Sequence, residues 1–127
     1  MKKQEYARLM AGLSPAGKEV LEEHLSDYGE ILLHVLAEDL INEPLMELLR
    51  GNQRKSIIQE YCNVIETMWK TGDDGTVNVV DVTILERLSD DPELWARFGQ
   101  YLSDEFKQYI NDEVIPGNIM MNCSRLS

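Results

Sequence analysis

Cysteine and long apolar runs are both scarce in this 127-residue chain, and each shortage excludes a class of protein. The two cysteines, Cys62 and Cys123, lie far apart and build neither a disulfide framework nor a CxxC metal knuckle. Cys62 stands among apolar residues at helical spacing, where a thiol serves as a small buried hydrophobe, while Cys123 falls in a polar tail. The longest apolar stretch, 31–41, is broken by His34, Glu38 and Asp39, so it cannot span a bilayer. The opening Met1-Lys2-Lys3-Gln4-Glu5 leads into charge rather than an apolar signal core, which makes the cytoplasm the expected compartment.

Catalytic signatures are missing as well. The eight glycines are scattered, and none forms the GxGxxG or GxxxxGK[ST] cradle that holds phosphate. There is no G-x-S-x-G elbow, no HExxH and no Glu-x-x-His pair of the kind that bundle di-iron sites use. His24 and His34 are the only histidines, and neither is placed beside a serine or cysteine in a familiar nucleophile–base arrangement. No cofactor is expected, and the chain reads as a non-enzyme.

Positive charge is the last shortage. Twelve basic residues face twenty-three acidic ones, a net charge of −11. Such a surface repels nucleic acid and anionic membranes, which are held by displacing counterions with cationic side chains. It attracts a basic protein instead and speeds its approach, although acidity also serves solubility alone.

What is present is the composition of a folded protein: 43% apolar and 28% charged residues, at a length close to the commonest domain size. Apolar residues recur at three- and four-residue spacing almost throughout. Tyr6, Leu9, Met10 and Leu13 mark a short helix over 2–13; Ser14-Pro15 reads as the cap and first position of a second, with Val20, Leu21, His24, Leu25 and Tyr28 on its buried face. The 31–41 stretch is apolar nearly all round and belongs at the centre of the core. Asn42-Glu43-Pro44 marks a break before a short helix ended by Gly51, and a long helix over 53–71 closes at Gly72. Gly72-Asp73-Asp74-Gly75 is the clearest loop. Residues 76–88 read as a helix capped by Thr76 or Asn78, with a short hairpin near 76–82 as the alternative, because Val77, Val79 and Val82 favour a strand. Asp91-Pro92-Glu93 opens a last helix running to about Val114, and Pro116-Gly117-Asn118 stops it. The expected fold is all-α: a single-domain bundle of five or six helices over 1–118 with a tail at 119–127, whose Ile119-Met120-Met121 docks on the body.

Two constellations carry chemistry. Glu30, His34 and Glu38, at i, i+4 and i+8, would line up along one helix, and they make a helical metal-dependent enzyme the alternative function. The Asp73-Asp74-Gly75 loop fails EF-hand spacing and reads as a solvated turn. The second constellation is acidic. Residues 71–113 hold only Arg87, Arg97 and Lys107 against eleven carboxylates, so Asp73, Asp74, Asp81, Asp90, Asp91 and Glu93, then Asp104 and Glu105, are the expected contacts for a basic protein. Asp91 and Glu93 also have capping reasons to exist.

From about Leu32 to Asn118 the order of residues resembles a known family. The runs "LLHVLAEDLINEPLMELL", "VIETMW", "VVDVTILERLSDDPELWARFGQYLSDEF" and "IPGN" are similar to a bacterial domain family of unknown function. Its members occur as small stand-alone proteins associated with immunity to polymorphic or contact-dependent toxins. The resemblance implies a partner, a cognate toxin domain that is bound and blocked without catalysis, and it carries over no catalytic residue. A regulatory or scaffolding module, able to form a homodimer through an exposed apolar patch, is the remaining alternative.

Overall fold

Tyr6 and Met10, one helical turn apart, are wholly buried and fasten the first helix, α1 (Lys3–Ala11), to the rest of the chain. The computed structural model describes residues 2–118 and 121–127. The second helix, α2 (Gly17–Tyr28), starts later than Ser14-Pro15 implied; Ala16 precedes it and supplies no side-chain cap. It lies on the surface. Only Gly17 and His24 of α2 are buried, and Leu25 and Tyr28, expected in the core, are 41% and 50% exposed. Gly17 backs onto α1 so closely that a Cβ there would stand 1.9 Å from the Ala11 carbonyl oxygen.

The third helix, α3 (33–51), runs unbroken through Asn42-Glu43-Pro44, where a break was expected. Proline lacks an amide proton and its ring crowds the carbonyl four residues back, which ordinarily kinks or ends a helix. Here a π-turn over Glu38–Asn42 precedes Pro44, with the Glu43 amide bonded to the Glu38 carbonyl, and the widened turn absorbs the misfit. Helix α4 (Lys55–Thr71) buries Ile58, Tyr61, Cys62, Ile65 and Met68 along one face, and the hydroxyls of Tyr6 and Thr71 tie it to α1 at 2.7 Å. Burial pushes the Cys62 thiol far above its ordinary pKa, in keeping with an inert core position. Gly72 is required for the passage out of α4, since a Cβ would lie 2.4 Å from the Met68 carbonyl oxygen.

Residues 74–89 form α5, with a π-turn over Val80–Leu85; the hairpin does not form. Val79, Val80, Ile84, Leu85 and Leu88 all enter the core, and that packing outweighs the strand preference of the valines. Its cap is Asp73, which accepts from the Thr76 amide at 2.9 Å, rather than Thr76 or Asn78. The expected last helix is two: α6 (Pro92–Gly99), capped by Asp91, and α7 (104–117), capped by Ser103. Among the described residues the domain is therefore all-α, with seven continuous helices and no strand. None is long and apolar enough to cross a membrane.

The tail, 121–127, runs back over α6 and α7 without helix. Asn111, itself buried, donates to the Leu126 carbonyl at 2.8 Å and accepts from the Leu126 amide at 2.7 Å. The Trp95 indole donates to the Ser124 carbonyl at 2.8 Å. Met121 is buried as expected; Ile119 and Met120 lie outside the described residues.

Candidate functional site

The eight acidic positions picked from the sequence do not gather into one patch. Asp73-Asp74 and Asp90-Asp91 stand at opposite ends of α5, a helix of sixteen residues; at a rise of 1.5 Å per residue that is about 24 Å. Several have local work. Asp73 caps α5, and the Thr76 amide it receives holds its carboxyl below the ordinary range. Asp91 accepts from the amides of Glu93 and Leu94 at 3.0 and 3.2 Å. Glu93 pairs with Arg97 at 2.6 Å, Asp104 with Lys107 at 3.5 Å and Glu105 with Lys70 at 3.9 Å. Asp81 is half-buried and takes the Tyr109 hydroxyl on both oxygens, at 3.0 and 2.9 Å. Burial raises its pKa, and burial with the Asp81 contact pushes the Tyr109 phenol well up. Asp74 and Asp90 are exposed and, among the described residues, have no ion-pair partner.

Glu30, His34 and Glu38 do not converge either. The i, i+4, i+8 alignment needs a helix across all three, yet Gly29 ends α2 in a left-handed turn and α3 begins only at Leu33. His34 Nδ1 instead meets the Thr83 hydroxyl at 2.6 Å, and Glu38 pairs with Arg87 at 3.3 Å. Among the described residues no three histidine, cysteine or carboxylate side chains are arranged to hold a metal ion.

A different acidic site forms where α2 crosses the π-turn of α3. Val20, Glu23, His24, Asp27 and Tyr28 of α2 and Asp39 and Glu43 of α3 line an open groove of about 350 Å³. His24 is its floor, with 4% of its surface exposed. The ring accepts the Leu32 amide on Nε2 at 3.0 Å, so in the neutral ring the proton sits on Nδ1. That Nδ1 is buried and has no partner among the described residues. The Tyr28 ring leans on the imidazole, centroids 4.8 Å apart, with half of its own surface open to solvent. Glu23, Asp27 and Asp39 form no ion pair among the described residues, while Glu43 reaches Arg87 only at 4.0 Å. The spacing of Glu23, His24, Asp27 and Tyr28 is visible along the chain. Spacing alone does not mark it as a site, because it gives Tyr28 a core position and because Asp39 and Glu43 arrive from another helix.

A family model described as a domain of unknown function, DUF7674, matches residues 7–115. The chain belongs to this family. No curated protein and no solved structure matches it. The matched span of this DUF7674 chain takes in the α2–α3 groove and stops before the tail. Across the described residues, Arg50, Lys70, Arg87, Arg97, Lys107 and Arg125 engage seven carboxylates. The unpaired acids are thus spread over the surface, with Glu23, Asp27 and Asp39 among them at the groove around His24.

Proposed function

We propose that this DUF7674 domain is an immunity-type binding protein: it docks in the cytoplasm on a cationic bacterial toxin domain, occludes its working surface and carries out no reaction. The observation that carries the reading is the neighbourhood of α2. Exposed Leu25 and Tyr28 lie on the same helix as the unpaired carboxylates of Glu23 and Asp27, with Asp39 facing them. Apolar anchors inside a charged rim are what a steered protein interface needs, because charge draws the partner in and buried aromatic surface holds it. The net charge of −11 extends the attraction beyond contact distance. Asp74 and Asp90 add to that field from the two ends of α5, while the capping and ion-paired acids of the same half contribute mainly to the fold.

The test is co-expression with the toxin domain encoded next to its gene. Growth should be rescued, and the association rate of the purified pair should fall by about tenfold or more on going from low to high salt. Absence of both rescue and complex formation would overturn the reading.

A further inference from the structure

We propose that the face made by α6 and α7 is a receptor for an extended protein segment, that residues 121–127 are the ligand it now holds, and that a partner segment presenting arginine followed by leucine displaces them. The inference concerns a different set of residues from the α2 neighbourhood and does not depend on the immunity reading.

The body grips the tail by its main chain. Buried Asn111 donates its side-chain amide to the Leu126 carbonyl at 2.8 Å and accepts the Leu126 amide at 2.7 Å. That pairing requires the N–H and C=O of one residue to face the same way, as they do toward a neighbouring β-strand. The Trp95 indole donates to the Ser124 carbonyl at 2.8 Å and the Lys107 ammonium to the Ser127 carbonyl at 2.9 Å. Bonds to main-chain atoms are open to any extended segment in the same register. Two side chains add the readout. Leu126 packs so close to Gly99 that a Cβ there would stand 2.9 Å from its Cδ2. Arg125 donates to the Asn111 carbonyl at 3.2 Å and to the Asp112 carboxylate at 3.3 Å. A cation followed by a branched aliphatic residue is the pattern this face selects, and a net charge of −11 draws such a segment in.

The hold on the tail is local. Of residues 121–127 only Met121 and Leu126 are buried, while Asn122, Ser124, Arg125 and Ser127 are exposed. A cavity of about 500 Å³ stays open between the tail and Pro92, Trp95, Ala96, Gly99 and Gln100, so the tail does not fill the face it covers. The family match over 7–115 contains Trp95, Gly99, Lys107, Asn111 and Asp112 and none of the tail. The receptor thus lies inside the DUF7674 domain and its present ligand outside it. Tethering gives the tail an effective concentration of about a millimolar, which a partner segment must outcompete.

The full chain, 15N-labelled and kept reduced, is titrated with the unlabelled heptapeptide of residues 121–127, acetylated and amidated. The Trp95 indole N–H, the Asn111 side-chain amide and the main-chain amides of 122–127 report binding. A Leu126→Ala chain, whose own tail holds less well, should bind the peptide saturably and at least about tenfold more tightly than the parent chain does. At saturation the chain's own amides of 122–127 should stand at free-chain shifts. Peptides carrying Leu126→Asp or Arg125→Glu should bind about tenfold more weakly or not at all. Shifts that fail to saturate, that either altered peptide reproduces in full, or that leave the tail amides at their bound positions overturn the proposal. So does a Leu126→Ala chain that no longer folds by circular dichroism, since the tail would then be core rather than ligand. Toxin rescue without peptide binding sinks this receptor alone; peptide binding without rescue sinks the immunity reading alone.

Discussion

The side-chain amide of Asn42 donates to the main-chain carbonyl of Ile84 at 3.1 Å, joining the π-turn of α3 to the π-turn of α5. A π-turn shifts the backbone ladder by one residue and leaves a carbonyl short of its helical donor. Asn42, fully buried, gives the Ile84 carbonyl a donor from the neighbouring helix. The bond ties the two irregular turns together, while the Asn42 Oδ1 is buried without a partner among the described residues.

Replacing Asn42 with alanine should therefore cost more than an ordinary surface hydrogen bond. The substitution removes this buried bond together with the unpaired Asn42 Oδ1, a net loss of about 1 kcal/mol. The urea midpoint should fall with little change in the slope of the transition. An Asn42→Ala protein as stable as the parent would show that the contact is incidental.

Gly17 governs how α2 is seated. An alanine there would bring its Cβ within 1.9 Å of a backbone oxygen of Ala11, which no side-chain rotation can relieve. Gly17→Ala should destabilise the domain by about 1–3 kcal/mol, as overpacking does. Faster amide exchange should be concentrated in 17–28, because α2 buries little besides Gly17 and His24. Exchange that rises evenly over α4 and α5 instead would show α2 to be integral to the core.

Asp81 and Asp73 pull the pH dependence in opposite directions. Asp81 has a folded pKa raised above 3.8 by burial, so the folded state binds more protons between 3.8 and that raised value, and stability falls as pH climbs through the window. Asp73 has a folded pKa lowered below 3.8 by the Thr76 amide, so its contribution is present above 3.8 and is lost as pH falls through the lowered value. Asp81→Asn keeps an oxygen to accept the Tyr109 hydroxyl and removes the charge. It should be at least as stable as the parent near neutral pH, with the advantage vanishing as pH drops below 3.8. Chemical denaturation at several pH values checks this; an advantage of the Asp81→Asn variant that grows in acid would reverse the assignment.

Residues with purely local causes were read correctly from the chain. Pro92 at the first turn of α6, the Asp91 cap and the apolar stripe Ile58, Tyr61, Ile65, Met68 of α4 all obey spacing rules that act within a few residues. Ser103 shows a local signal overlooked: its hydroxyl caps α7 and divides what a continuous stripe from Leu94 to Val114 made look like one helix. Pro44 shows a local signal overruled, since the π-turn ahead of it lets α3 continue.

The sequence alone determined the helical class, the main apolar faces and the charge of −11, because periodicity and composition are properties of the chain itself. The tertiary structure decided where that charge is left uncompensated. Glu23 and Asp27 line one groove with Asp39 and Glu43 because Gly17 lets α2 close on α1 and α2 then lies across the π-turn of α3. Burial of His24, and with it an Nδ1–H unpaired among the described residues, follows from a contact with Leu32 made only once the chain has turned at Gly29. Such convergence depends on the path of the backbone in space, which no spacing along the chain records.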